Sequence, residues 1–256
     1  MTEREALLLV AHGSSRYEDA ARPLRRQVAA LRAAEPGLQV EGGLLNGTPS
    51  VAESLARIAA GTVHVVPFFM EAGYFTKVAI PRALGDDPRV RVHEPVGVHP
   101  AMADVIDAQG RAGCAALGVA PASAAILVVG HGSVSAPGRA LALQDHGRVL
   151  AAAGVFGQVA TACLEETPFL ADALRALADR PVIVIGFFAG EGMHVRDDVP
   201  NAVAAEQRHR GGAGPAVRFH DCVADHPSLP RIIRAQAGLG FASGEVRPGN
   251  LDPWEP

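Results

Sequence analysis

Short runs of apolar residues recur along the chain, each followed by a longer stretch of mixed character. Residues 6–11 and 63–69 are compact, rich in Leu or Val and nearly free of polar positions, the pattern of parallel strands buried on both faces. Between them, residues 17–34 have helical length and an arginine-studded polar face, which predicts an amphipathic helix. Thr48-Pro49 reads as an N-cap followed by proline at the first helical position, opening a helix to Ala60. Residues 89–93 form a further strand and 100–117 a closing helix. The order returns in the second half, with strands near 125–130, 158–164, 182–188 and 216–221 and helices between them. Such alternation implies right-handed crossovers and a parallel sheet covered on both faces.

The two halves are copies of one unit. A shift of 119 residues aligns 6–81 with 125–200 without a gap, and 25 of the 76 positions are identical. The matches fall in blocks. Ala11-His12-Gly13-Ser14 meets Gly130-His131-Gly132-Ser133, Thr48-Pro49 meets Thr167-Pro168, and Phe68-Phe69 meets Phe187-Phe188. After an eight-residue insertion in the second copy, His99-Pro100 meets His226-Pro227. The fold class is α/β: two tandem repeats of a parallel-sheet, three-layer αβα domain, 1–120 and 121–238, with a cleft between them. Residues 239–256, with three prolines, three glycines and no periodicity, read as a loose tail.

Composition narrows the function. Apolar residues make up 48 % and charged residues 20 %, which excludes a disordered chain. No apolar run approaches the roughly 20 residues that span a bilayer, and residues 1–5 carry no leader pattern, so a cytoplasmic protein without a membrane partner is expected. A net charge of −4 offers no electrostatic footprint for nucleic acid. Cys114, Cys163 and Cys222 are too scattered for a disulfide framework or a paired-cysteine zinc site. Among ten histidines, His99 and His226 precede proline at helix starts and His93 and His220 end strands, which makes them structural. His64, His146 and His209 fall on strand or helix surfaces and receive no role.

Ligands of an open parallel sheet bind outside the carboxyl ends of its strands. In the second copy that rim holds His131, Glu165, Glu166, Glu191 and His194. Imidazole and carboxylate groups converging there suit a divalent transition metal, and a neutral imidazole also accepts a proton near neutral pH. The first copy keeps His12 and Ser14 but has Asn46, Gly47 and Phe75 at the places of Glu165, Glu166 and His194. The second copy is therefore expected to be the chemically competent one and the first to serve as a wall. Cys163, near a strand end and without a partner, is not expected to be a nucleophile.

Three motifs together resemble the class II tetrapyrrole chelatases, in particular the sirohydrochlorin chelatase family in its fused, two-domain form. They are Gly130-His131-Gly132-Ser133, Glu166-Thr167-Pro168, and Phe187-Phe188 through Gly192-Met193-His194 to Asp198-Val199-Pro200. The resemblance covers both units. It implies insertion of Co²⁺ or Fe²⁺ into sirohydrochlorin in cobalamin or siroheme biosynthesis, with the metal as substrate and no organic cofactor or ATP; His and carboxylate ligands accept Ni²⁺ as well. It implies His131 and His194 as metal-handling and proton-accepting residues, in a monomer with an internal pseudo-dimer or in a homodimer. Glu165 or Glu166 would orient an imidazole or take the second proton. The substrate's eight carboxylates call for cationic groups, for which Lys77 and Arg196, at matched places, are candidates beside Arg16, Arg82 and Arg139. His12, Ser14, Ser133 and Phe75 would complete the substrate-binding surface. A non-catalytic metal or tetrapyrrole carrier, and a ferrochelatase acting on another porphyrin, are the alternatives.

Overall fold

The structure, a computed structural model, describes residues 4–14, 18–134, 138–190, 192, 194–211 and 214–239, with the backbone alone for Glu18, Asp19 and His194. Two four-stranded parallel sheets carry the fold. The first has strands β1 (Glu5–Gly13), β2 (Gln39–Asn46), β3 (Thr62–Pro67) and β4 (Val90–Val92) in the order β2-β1-β3-β4. The second, β5 (Ala125–Gly130), β6 (Gln158–Cys163), β7 (Val182–Gly186) and β8 (Val217–Cys222), repeats it as β6-β5-β7-β8. The strand lacking from the apolar reading of the first half is β2. Its segment, Gln39 to Asn46, mixes Glu and two glycines with apolar residues because β2 is an edge strand with only part of its length buried.

Alternate residues of the central strands point to different cores. Ala6, Leu8 and Val10 of β1 pack with Val51 and Leu55 of α2 (Val51–Ala56) and Ile80 and Leu84 of α3 (Ile80–Leu84). Leu7 and Leu9 face the other way, into a core that also holds Ile126 and Val128 of β5. That shared core takes residues from α1 (Arg22–Ala34), α4 (Met102–Leu117), α5 (Leu141–Ala153) and α8 (Leu229–Gln236). On its far face the second sheet packs Leu127 and Val129 against α6 (Leu170–Ala176) and α7 (Val199–Arg210). One apolar core therefore joins the two repeats.

The joining is reciprocal. Helix α4 ends the first repeat in sequence but lies on β7 and β8 of the second sheet. Gly113 makes this approach possible, because a Cβ there would come within 2.5 Å of Ile183 Cγ2. Gln109 also donates from α4 to the carbonyl of Cys222, at 2.9 Å. Helix α8 ends the second repeat and packs on α1 of the first, while Gln27 of α1 donates to the carbonyl of Ala224 at 2.9 Å.

Several local expectations are corrected. Thr48-Pro49 does not cap α2. The N-cap is Ser50, whose hydroxyl accepts the Glu53 N–H while the Glu53 carboxylate accepts the Ser50 N–H, a capping box. Pro49 lies outside the helix, its carbonyl accepting the Leu44 N–H, and α2 ends at Ala56 rather than Ala60. The first long helix begins at Arg22 after a 3₁₀ turn, Glu18–Ala21; the expected start at Tyr17 lies outside the described residues. His146 is not on a surface. It is 96 % buried, its Nε2 lies 2.7 Å from the Gly97 carbonyl, and Phe187 packs edge-on to its ring. An imidazole can occupy the shared core because a carbonyl of the other repeat satisfies it. His99 and His226 are structural, each Nδ1 accepting the backbone N–H two residues on. The tail beyond Leu239 lies outside the described residues. No helix among the described residues is long and apolar enough to cross a membrane.

Candidate functional site

From β1 the chain passes to β2 on one side and then to β3 on the other, and β5 is flanked by β6 and β7 in the same way. The carboxyl ends of β1 and β5 are thus switch points, where loops diverge and leave a crevice. Each ends in His-Gly. Gly13 and Gly132 have φ of 72° and 73°, left-handed values that favour glycine. They also lie against the neighbouring turn. A Cβ on Gly132 would stand 2.8 Å from Cys163 Cβ and from Glu166 Cγ, and one on Gly13 would strike the Asn46 carbonyl.

In the second repeat this packing sets the histidine beside one of the two glutamates. The Glu165 N–H donates to the His131 carbonyl at 2.9 Å. His131 is exposed, and its Nδ1 lies 3.5 Å from a Glu165 carboxylate oxygen. Glu166 takes a different place. It is 94 % buried, accepts the Gly138 N–H, and has the Cys163 Sγ 3.9 Å from its other oxygen. Of the two candidates for orienting the imidazole, Glu165 has the geometry, and Glu166 braces the turn from beneath. Cys163 is pushed up to about 11 by burial and by the Glu166 and Glu71 carboxylates, so its thiol stays protonated at neutral pH.

The third motif of each repeat enters a π-helix, His194–Asp198 in the second and Phe75–Ala79 in the first. Such wide turns are common at functional sites. Arg196 and Lys77 occupy matched, exposed positions on them. Arg82 and Arg139 are exposed as well, and Ser14 and Ser133 are half-buried behind their histidines. Arg16 and Glu191 lie outside the described residues, as does the side chain of His194. Among the described residues no three His, Cys, Asp or Glu side chains converge on one point.

The first repeat is built differently. His12 Nδ1 sits 2.8 Å from the Gly13 carbonyl, as His131 Nδ1 sits 3.3 Å from that of Gly132, but here Phe75 meets the ring edge-on with centroids 4.5 Å apart. Phe69 stacks on Phe75 at 6.0 Å, and Tyr74 adds a T-shaped contact at 5.6 Å. Tyr74, Phe75 and Val78 are exposed. This rim offers apolar and aromatic surface where the second offers carboxylate.

One carboxylate in the neighbourhood was not legible in the sequence. Glu71, on the loop after β3, reaches across to the second repeat, where its oxygens accept the N–H groups of Ala142 (3.0 Å) and Leu143 (2.9 Å). It thereby caps α5 with a negative charge where the helix dipole favours one. The repeat comparison aligns it with Gly190, so only a break in symmetry marks it. Burial raises the Glu71 pKa, against the lowering by those N–H groups, and Asp145 adds to the rise. A carboxyl that binds its proton more tightly folded than unfolded makes stability fall as pH climbs from the ordinary carboxylate range to the raised value. Glu71→Gln is therefore expected to flatten that decline, measured by urea unfolding between pH 4 and 7; an identical slope in both proteins would refute it.

Two fused parallel α/β units, with His-Gly turns at matched switch points, define the class: a two-repeat chelatase fold. Comparison with known proteins gives the family. The CbiX family model matches residues 6–111 and again 125–238, and the chain belongs to this family of sirohydrochlorin chelatases. It is similar to a probable sirohydrochlorin cobaltochelatase of Halobacterium salinarum, 27 % identical over 223 residues, 77 % of this chain and 75 % of that protein. Among solved structures, DR2241 from Deinococcus radiodurans superposes with a TM-score of 0.80 at 27 % identity, over 94 % of this chain and 56 % of that one. This chain thus spans about half of that multi-domain protein, which is described as similar to chelatases with two additional novel domains. CbiX, described as the terminal enzyme of siroheme biosynthesis in denitrifying bacteria, gives 0.72 at 26 % identity, covering 91 % and 98 % of the two chains.

Proposed function

We propose that this chain inserts a divalent metal ion, Co²⁺ first and Fe²⁺ second, into sirohydrochlorin without ATP, at the rim of the second repeat. The observation that carries the reading is the exposed His131–Glu165 pair at the switch point of the second sheet. Insertion exchanges two pyrrole N–H protons for one M²⁺, so the site needs proton acceptors beside a place for a partly dehydrated ion. Glu165 orients the His131 ring, and the imidazole meets the ion or takes a departing proton. His194, at the start of the π-helix, supplies the second imidazole. Lys77, Arg196, Arg82 and Arg139 meet the substrate carboxylates, with Ser14 and Ser133 as hydroxyl partners. His12 with Phe75 and Tyr74 forms the apolar wall for the flat ring.

The preference for cobalt rests on the name of the Halobacterium relative and the iron alternative on that of CbiX. Imidazole and carboxylate accept both ions, so supply decides between them. The test is the absorbance of anaerobic sirohydrochlorin with Co²⁺, with and without protein, and then with Fe²⁺. Acceleration by the protein is expected. Tetrapyrrole binding without acceleration by any of Co²⁺, Fe²⁺ and Ni²⁺ would replace the enzyme with a carrier, and no binding would sink the substrate.

A further inference from the structure

A second group of imidazoles lies at the other end of the first sheet. His64 is the third residue of β3 and pairs in register with Leu7 of β1 and Arg91 of β4, toward the amino-terminal edge and away from the rim where His12 sits. His93 follows β4, held by its N–H to the Val65 carbonyl at 2.9 Å. The two rings meet almost end to end. His64 Nδ1 is 2.9 Å from His93 Nε2, with centroids 5.1 Å apart and planes inclined by 25°. The other nitrogen of His64, Nε2, lies 3.3 Å from the Glu5 carboxylate, at the start of β1. This corrects the expectation of a surface His64: its side chain is only 13 % exposed.

The carboxylate decides the protonation pattern. Accepting from Nε2–H of His64, Glu5 leaves Nδ1 of that ring as a bare lone pair aimed at His93. The His93 Nε2 must then donate its hydrogen into the gap. A carboxylate on the far nitrogen of an imidazole is also the arrangement that orients metal-binding histidines and raises their basicity. Two imidazoles on a tetrahedral ion, with metal–nitrogen distances of about 2.0–2.1 Å, hold their nitrogens about 3.3 Å apart and their ring centres about 5 Å apart. The ring centres here already have that spacing. Pivoting the rings about their centres replaces the shared hydrogen with an ion, the His93 hydrogen moving from Nε2 to Nδ1 of the same ring with no net release of a proton. Arg91, beside His64 in register on β4, spends its donors on the carbonyls of Pro88 and Val90.

The second repeat shows what the pair adds. Its His220 corresponds to His93, but Ile183 stands in place of His64 and Ala124 in place of Glu5. His220 is left with Nδ1 buried and no hydrogen-bond partner among the described residues. Packing at this position therefore does not call for a second imidazole, nor for a carboxylate behind it.

We infer that His64 and His93, oriented by Glu5, form a second divalent transition-metal site on the first repeat, two imidazoles with water completing the coordination, remote from the insertion site. The inference does not depend on the proposed function. Its test is Zn²⁺ titration of the full chain by calorimetry, beside His64→Gln and His93→Gln, with the imidazole NMR signals of the intact wild type followed in parallel. Each variant is expected to bind one equivalent of Zn²⁺ fewer than the wild type, and Glu5→Gln to weaken that equivalent by about 10–100-fold. His131→Ala should retain it, and His64→Gln should insert metal at the wild-type rate when Co²⁺ is saturating. Unchanged stoichiometry in both His variants, or His64 and His93 signals unmoved by Zn²⁺ in the wild type, would overturn the inference. Neither result bears on the chelatase reading, which fails only in the sirohydrochlorin assay.

Discussion

Replacing His131 with alanine is expected to slow metal insertion by at least about 10²-fold, the lower end of what a positioned proton acceptor contributes, while the thermal midpoint stays where it was. The ring is exposed, so its loss is expected to leave the core packing untouched. His194→Ala should behave alike. Glu165→Gln should cost less, about 10–100-fold, because it removes the group that orients the imidazole and not the imidazole itself. His12→Ala is the decisive comparison. His12 has the same place in the repeat, but Phe75 lies against its ring and Asn46 stands where Glu165 does. Its loss should cost well under the loss of His131. Initial rates of Co²⁺ insertion for the four variants at one pH decide the matter. Equal losses at His12 and His131 would show that both rims work, and a larger loss at His12 would place the chemistry in the first.

What the sequence exposed and what it hid divide along a physical line. Tandem repetition, strand runs such as residues 125–130 and the His-Gly turns are local features, written in periodicity and in residue types with special backbone demands. They gave the α/β class and the contrast between the two rims. The crossing of α4 and α8 into the opposite repeat is not local. An amphipathic helix declares a buried face without declaring whose sheet will cover it, and Gly113 only acquires meaning when Ile183 is opposite. His146 misled for the same reason. In sequence it is a polar residue on a helix, and the Gly97 carbonyl that makes its burial tolerable comes from the other repeat. Glu71 was hidden twice over, by distance and by a repeat alignment that pairs it with glycine. Long-range partners of single polar side chains are the information a lone sequence carries least well.

The largest effect on stability is expected at a residue far from either rim. Arg210, in the last turn of α7, is 3 % exposed in its side chain and is paired at 2.9 Å with Glu206, 6 % exposed. Its remaining donors reach the carbonyls of Leu174 (2.8 Å), Leu177 (3.2 Å), Arg180 (3.0 Å) and Pro215 (3.4 Å). One guanidinium thus satisfies the end of α6 and the turn that leads into β7. Arg210→Ala leaves Glu206 charged and buried with those acceptors unmet, a loss of about 3–5 kcal/mol, or on the order of 10 °C in the unfolding midpoint for a chain of this size. The cause can be separated from lost packing. If the uncompensated charge dominates, Arg210→Met with Glu206→Leu should recover most of the loss, since an apolar pair of similar volume is often as stable as a buried ion pair. Lysine should fail at 210, because one ammonium cannot serve five acceptors in a plane. The matched end of α2 in the first repeat is served instead by Arg89, which donates to the carbonyls of Ile58 (2.8 Å) and Ala60 (3.3 Å) and pairs with the more accessible Asp87. Water can replace much of that arrangement, so Arg89→Ala should cost clearly less. Because a single apolar core spans both repeats, the Arg210 loss should also appear as one cooperative transition, seen equally by far-ultraviolet dichroism and, in a Trp254→Phe background, by the fluorescence of Tyr17 and Tyr74, both in the opposite repeat. Two separated transitions, or an Arg210→Ala loss below about 1 kcal/mol, would contradict the account of how this chain is held together.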